Sequence, residues 1–428
     1  MEVIIVHSHL NPGGVTRIIE SQVESLHRLP VKVVAGDCSN PEQITSRGAE
    51  YVEFAPLNYL EHKPYSIAEI NQKLIEITSF LKNLTTSDSI LHIHNLNLGK
   101  NPVVTYAVYQ LAKKGMPVFN HAHDFAEDRP ANLKFLKEII EDIFKEKLND
   151  VLYPDFPNYH FGVLNSFDKK RLENYGVQQD RILWLPNPVT FDTEEDISNK
   201  KKYKTEICSE LNLDEKKLLV TYPVRVIQRK NIGEFILLSV LFANDVQFVV
   251  TQPPKNPVEI ELYEKWLKFC HEKKIAITFE AGQKVNFEKL IIASDFCITT
   301  SYREGFGMVY LEPWLLNTPV VGRNIDFLTN DFQSDGFRFS ALYDEITVPG
   351  QSEDFKNLDM HSQMEIIDDV LSGKIKKEQV YEQNPVLSAL FKNVPEQVSR
   401  QNKSIIKNNY SLEKYGIKLQ NRYKEMVG

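Results

Sequence analysis

Residues 279–321 read FEAGQKVNFEKLIIASDFCITTSYREGFGMVYLEPWLLNTPVV. Two short apolar runs, 296–299 and 320–322, bracket a glycine-rich turn and a further apolar stretch. That is one unit of a parallel sheet: strand, turn, helix, next strand. The turn carries two carboxylates, Glu304 and Glu312, eight positions apart. Paired carboxylates do the chemistry of glycoside hydrolases, where one donates a proton and the other attacks or activates water. On one straight helix eight positions span about 12 Å, more than the roughly 5–9.5 Å such a pair needs. The alternative is two clamps on the hydroxyls of one ligand.

The same alternation runs along the whole chain. Residues 3–6, 32–34, 90–93 and 118–121 read as buried parallel strands, with amphipathic helices at 16–29, 67–81 and 103–114 between them. Residues 133–148 read as one solvated surface helix, with Leu133, Leu136, Ile140, Ile143 and Phe144 on one side. The run LPNPVTFDTEEDISNKKKYK, residues 185–204, turns proline-containing and then charged, as an interdomain link does. Strands resume at 218–222, 246–251, 275–279, 296–299 and 320–322, and the last ~70 residues are helical in pattern. The expectation is an α/β protein of two doubly wound parallel-sheet domains. The chain of 428 residues is long enough for both.

Composition narrows the function. With 42% hydrophobic and 25% charged residues the chain is globular, and its formal net charge of −8 disfavours a nucleic-acid partner. The four cysteines are dispersed without a CxxC, which fits a reducing, cytoplasmic setting. The N-terminal stretch lacks the pattern of a secretion signal, and no apolar run is long enough for a transmembrane helix.

Polar motifs sit where parallel strands end, the place open α/β sheets bind ligands. Gly13 and Gly14 open the first helix without a GxGxxG fingerprint, so a dinucleotide oxidoreductase is poorly supported. Three HxH pairs lie at or near strand ends: His7 and His9, His92 and His94, His121 and His123. Period two puts each pair on one face. The expectation is that one member packs in the sheet while the other faces the cleft and binds hydroxyls; a metal is not expected. The stretch HAHDFAEDRP, 121–130, puts His123 and Asp124 just past a strand, as a cleft site or as a plain solvated loop with Asp124 capping a helix. In the second domain TYPVRVIQRKNI brings Arg225, Arg229 and Lys230 to the start of a helix, suited to a diphosphate.

In combination these features resemble the retaining GT-B glycosyltransferases of family 4, the glycogen-synthase-like group. The carrying motifs are Gly13-Gly14, His123-Asp124, Asn187-Pro188, Arg225 with Lys230, and Glu304-x7-Glu312. The resemblance implies two Rossmann-like domains facing a central cleft. Residues 1–190, with 409–428 packing back, would form the acceptor side, and 191–408 the donor-binding side. It implies a hexosyl transfer from a UDP-, GDP- or ADP-sugar to a hydroxyl acceptor, with no metal or other cofactor. Arg225 and Lys230 would hold the diphosphate, helped by backbone at Gly305, Phe306, Gly307, Met308 and Val309. Glu312 would accept from the ribose, Glu304 from the transferred sugar, and His123 would lie near the anomeric carbon. Gly13 and Gly14 would leave room for phosphate and acceptor, and His9, His94, Asn95 and Asp124 would line the acceptor side. The run ALYDEI within 327–346 resembles a bacterial subgroup that makes small glycosides.

Three departures stand out. Pro313 follows the second glutamate where alanine is usual and should kink the helix. Asn317 replaces a glycine, and Thr251-Gln252-Pro253 stands where glycines are common, leaving the base open. The rivals are a nucleotide-sugar epimerase or a phosphorylase of the same architecture, and a sugar-nucleotide-binding protein without activity.

Overall fold

Apolar alternation along the first strand serves both faces of one sheet. Ile4 and Val6 pack into one core with Val34, Leu91 and Ile93. Val3 and Ile5 pack into the other with Val33, Ile90 and Phe119. A strand apolar on both sides must be covered on both sides, which requires a helical layer above and below. The computed structural model describes residues 1–428 except Asp192 and Glu194, two positions within the expected link. The chain divides into two compact units, Met1–Pro188 with Tyr410–Gly428, and Val189–Asn409.

The first unit holds seven strands: β1 Glu2–His7, β2 Val31–Ala35, β3 Glu50–Glu53, β4 Ser89–His94, β5 Val118–Ala122, β6 Tyr159–Val163 and β7 Ile182–Trp184. They pair in parallel in the order β3-β2-β1-β4-β5-β6-β7. The chain therefore winds outward from β1 to one edge, returns, and winds from β4 to the other. The helices Ile67–Leu84 and Pro102–Lys113 cover one face. Gly14–Ser25 covers the other, joined by Leu412–Val427, whose Tyr415, Leu419 and Tyr423 enter that core.

The second unit repeats the scheme with six strands: β8 Leu218–Arg225, β9 Val246–Gln252, β10 Ile277–Thr278, β11 Phe296–Thr299, β12 Val320–Arg323 and β13 Leu342–Tyr343. Their order is β10-β9-β8-β11-β12-β13, again all parallel. Each unit thus has one place where neighbouring strands lead their connections in opposite directions: between β1 and β4, and between β8 and β11. Crevices at such switch points are the ligand sites of open parallel sheets.

The structure corrects several local expectations. The first helix ends at Ser25 rather than residue 29. The surface helix expected over 133–148 is broken: Pro130–Lys137 is α-helical, Glu138–Ile143 winds as a π-helix, and the chain turns through Lys145 at φ +59° before a new helix, Leu148–Leu152. The distortion seats Phe144 on Tyr106, ring centroids 4.0 Å apart. Pro313 kinks nothing. The helix it belongs to is only Glu312–Leu315, and it sits in the first turn, where its missing N–H has no helical partner to lose. Asn317 takes the left-handed conformation at φ +59° just beyond that helix, as asparagine tolerates.

One glycine is fixed by packing. Gly322 pairs with Thr299 across β12 and β11, at φ +128°, and a β-carbon there would lie 2.1 Å from the Thr299 carbonyl oxygen. Backbone cannot swing aside as a side chain can. Gly322→Ala should cost about 3 kcal/mol of unfolding free energy, read by chemical denaturation. Unchanged stability would mean that β11 and β12 separate without penalty.

Candidate functional site

At the switch point of the second unit, polar groups from both central strands hold one backbone atom. The Lys230 carbonyl oxygen accepts from the Tyr222 hydroxyl on β8 (3.0 Å) and from Thr300 just after β11 (2.9 Å). Tyr222 also shares a hydrogen bond of 2.7 Å with Ser301. Lys230 is thereby aimed, and its ammonium donates to one carboxylate oxygen of Glu304. The other oxygen takes the Arg229 guanidinium, which also reaches the Arg303 carbonyl oxygen at 2.9 Å. Glu304 is nine-tenths buried, with 8% of its side chain exposed.

Burial alone would raise the Glu304 pKa, but Lys230 and then Arg229 outweigh it and hold the carboxyl below its ordinary range. Lys230 is pulled down as well, because burial and the Arg229 charge outweigh its half-share of Glu304. The two directions agree with the geometry: one anion serves two cations. Glu304 is therefore ionised at neutral pH and can only accept hydrogen bonds. A glycosidase acid needs the opposite, a carboxyl kept protonated by its surroundings. Arg225 ends β8 with its Nε buried and without a hydrogen-bond partner among the described residues.

Glu304 lies in a loop and Glu312 begins the short helix, so no common helix relates the two. Between them Gly305, Phe306 and Gly307 make the turn, with Gly307 at φ +83°, and Met308–Tyr310 forms a single 3-10 turn with Val309 at its centre. Tyr310 packs close behind: a β-carbon on Gly307 would lie 3.0 Å from its ring.

In the first unit the histidines form a chain across one face of the sheet. His94 stands beside His121 in register on β5. His94 Nδ1 is 2.8 Å from His123 Nε2, and its Nε2 is 2.9 Å from the Gln22 side-chain oxygen. The Gln22 amide nitrogen donates to His92 Nδ1 (2.8 Å) and to the Tyr423 hydroxyl (3.1 Å). Burial, then the neighbouring imidazoles, hold His94 well below its ordinary pKa, so it is neutral. With the amide in this orientation, Gln22 oxygen can only accept, so His94 carries its proton on Nε2 and accepts at Nδ1. His123 must then donate from Nε2, leaving Nδ1 as its base nitrogen; burial lowers its pKa to about 4. His92, His94, His121 and His123 are all buried. Only His9 of the three pairs is partly open.

The nitrogens of His92, His94 and His121 lie within 4.8 Å of one another. Both His94 nitrogens are already engaged in hydrogen bonds. Hydrogen bonds link His92, His94 and His123 through Gln22, while neither His121 ring nitrogen has a hydrogen-bond partner among the described residues. Asn95, at φ +63°, accepts from the backbone N–H of His123 (2.9 Å) and Asp124 (3.0 Å), fixing that loop. Asp124 caps no helix; it pairs with Arg129 at 2.9 Å. Gly13 is extended and neither it nor Gly14 is crowded, since a β-carbon on Gly14 would meet nothing within 4 Å. Nothing inside the chain demands glycine there.

Sequence reasoning missed Gln22, Tyr423 and the role of Arg229. Gln22 and Tyr423 meet across 401 positions, which no local pattern reveals. Arg229 was visible as a charge beside Lys230 but not as a Glu304 partner.

No protein-family model matches the chain. The mannosylglucosyl-3-phosphoglycerate synthase of Petrotoga mobilis is 29% identical over 363 residues, covering 80% of this chain and 68% of its own. The mannosylglucosylglycerate synthase of the same organism is 23% identical over 311 residues, covering 65% and 69%. Among solved structures, Anabaena HepE in complex with UDP and glucose superposes with a TM-score of 0.60 at 14% identity over 99% of both chains. WaaG, a glycosyltransferase of lipopolysaccharide biosynthesis, gives a TM-score of 0.59 at 13% identity over both full chains. The fold is the two-domain GT-B fold, and with the sequence relatives it places the chain among the glycosyltransferases.

Two outcomes test the geometry. Histidine-selective ¹⁵N NMR should show His123 protonated on Nε2; a proton on Nδ1 would mean that the Gln22 amide is reversed. Lys230→Met should cost about 2 kcal/mol of stability, since it leaves a buried carboxylate with Arg229 as its one remaining cation, and adding Glu304→Gln should restore part of it. Because the folded pKa of Glu304 is depressed from 4.5, the wild-type contribution is complete above about pH 4.5 and fades as pH falls through the folded value. A double variant no more stable than the single would show that the pair is not coupled.

Proposed function

We propose that the chain is a retaining hexosyltransferase that moves a mannosyl group from a nucleotide-diphosphate sugar to a glucosylated glycerate or its phosphate. The observation that carries the reading is Glu304, held as a buried anion by Lys230 and Arg229 at the switch point of the second unit. An ionised, acceptor-only carboxylate suits sugar hydroxyls. Two cations beside it, with the Arg225 Nε that has no hydrogen-bond partner among the described residues, suit a leaving diphosphate. The sugar and acceptor are taken from the names of the two Petrotoga relatives.

In this reading Arg225 and Lys230 neutralise the diphosphate as its bond to the anomeric carbon lengthens. Preorganised charge of this kind, fixed before the reaction, is a large part of enzymatic rate enhancement. The backbone of Gly305 to Val309 supports the phosphates, Glu312 accepts from the ribose, and Glu304 from the transferred sugar. A phosphate oxygen takes the acceptor proton on the face the diphosphate leaves, so configuration is retained. His123 and Asp124 belong to the acceptor side with His9, His94 and Asn95, and Gly13-Gly14 leaves room for the ligand's backbone contacts. The positive charge comes from side chains, so turnover is expected to survive EDTA.

The test is a matrix of UDP-, GDP- and ADP-linked mannose and glucose against glucosylglycerate, with and without its phosphate. The expected product is a mannosylglucosylglycerate skeleton by mass spectrometry with retained configuration by NMR. Lys230→Ala and Glu304→Ala should each lower turnover by about 10²-fold or more. Conversion of the donor without any acceptor would turn the reading to an epimerase. Donor binding with no turnover across the matrix would turn it to a binding protein.

A further inference from the structure

The first unit has a switch point of its own, between β1 and β4, and a small cavity opens there. Its volume is about 20 Å³, and His7 at the end of β1 and Ser8 just past it line it together with Asn95, Lys100 and Asn101 after β4, and Tyr59. That is room for roughly one small polar group. The walls are tied: Asn101 donates to the Asn58 carbonyl oxygen at 2.7 Å, and Leu60 N–H donates to the Lys100 carbonyl oxygen at 2.9 Å. His7 is 3% exposed, and its Nδ1 is buried with no hydrogen-bond partner among the described residues. An unmet buried nitrogen costs roughly 1–3 kcal/mol unless something fills the role.

The charge around the cavity is unbalanced. Lys100 stands 4.6 Å over the Tyr59 ring and has no ion-pair partner among the described residues. Arg129 and Asp124 are its charged neighbours, and those two neutralise each other at 2.9 Å. Burial and then the Arg129 charge push the Lys100 pKa down, so a bound anion would relieve it. His9 is held below its ordinary pKa and His7 at about 3, so neither adds charge at neutral pH. Asp37, beside His9, is exposed. One uncompensated cation remains, on a chain whose net charge is −8.

We propose that this notch binds the carboxylate of the acceptor, with Lys100 as its counter-ion and Tyr59 and His7 as flanking polar contacts. The inference deepens the function proposed above and rests on it for the identity of the acceptor. It adds that specificity for a hydroxy acid over a neutral polyol resides at Lys100. A carboxylate is favoured over a phosphate because the cavity, about 20 Å³, suits the smaller head.

The test uses the full-length protein and three probes: D-glycerate, 3-phosphoglycerate and glycerol, titrated by calorimetry against wild type, Lys100→Ala and Lys100→Arg. Both glycerates should bind wild type and glycerol should not, because the shared carboxylate is what is read. Lys100→Ala should weaken both glycerates at least tenfold, Lys100→Arg less, with nucleotide binding unchanged as proof of folding. In transfer assays Lys100→Ala should raise the acceptor KM at least tenfold and change kcat less than threefold. No glycerate binding to wild type, equal binding of glycerol, or glycerate binding indifferent to Lys100→Ala would each overturn the proposal. Binding of 3-phosphoglycerate alone would assign the cation to a phosphate and overturn the carboxylate. Transfer to glucosylglycerates with an unchanged KM in Lys100→Ala would sink this inference alone. Lys100-dependent glycerate binding without any transfer would sink the proposed activity and leave the notch standing.

Discussion

A parallel sheet wound in two directions leaves one crevice, and this chain builds two such sheets. Every strand is paired on both sides except at the edges, so backbone polar groups are spent inside the sheet. Side chains near the middle must be apolar, as β1 and β4 are on the face of Ile4, Val6, Leu91 and Ile93. Toward and beyond the carboxyl ends of the central strands the chain has more freedom to be polar. The first unit places His94, Asn95, Lys100 and His123 there, and the second places Arg225, Lys230 and Glu304. The concentration of chemistry in these two places follows from the winding.

Polar groups in such places still have to be solvated by protein. The second unit solves this with charge: one carboxylate for two cations, and a lysine carbonyl held by hydroxyls from both neighbouring strands. The first unit uses neutral rings. Burial strips His92, His94 and His121 of charge, and the first two gain hydrogen bonds as neutral rings through Gln22, Tyr423 and His123. The difference matters for the opening question about paired carboxylates. A glutamate between two cations cannot wait protonated for a leaving group, whatever its distance from a second glutamate.

Much of this was legible in the sequence, because strands buried on both faces and switch-point motifs are local patterns. The strand runs at 3–6, 90–93, 118–121 and 296–299 fall within β1, β4, β5 and β11. What escaped was decided by packing. β3, Glu50–Glu53, is an edge strand with charged ends and partly exposed residues, so it lacks an apolar signature. The 133–148 helix has good periodicity, yet Phe144 stacking on Tyr106 redirects it. Pro313 was misread because the helix was assumed to begin before Glu312; placed at the first turn, proline starts the helix. Arg229 and Gln22 were invisible as partners because their contacts lie 75 and 401 positions away.

The longest of those contacts has a consequence for how the first site is assembled. Tyr423 donates or accepts with Gln22 and His92 at the inner end of the histidine chain, on a helix that follows the entire second unit in sequence. Without that helix, Val3, Ile5 and Phe119 would lose part of their cover, and His92 and Gln22 would lose a hydroxyl partner inside an apolar layer. Residues 1–188 alone therefore leave an unfilled face and unmet polar groups. Joining segments this far apart carries a loop-closure entropy that the packing of the helix must offset. The histidine chain behind His123 is thus completed by a helix that lies beyond the second unit in sequence, and its order depends on that helix docking.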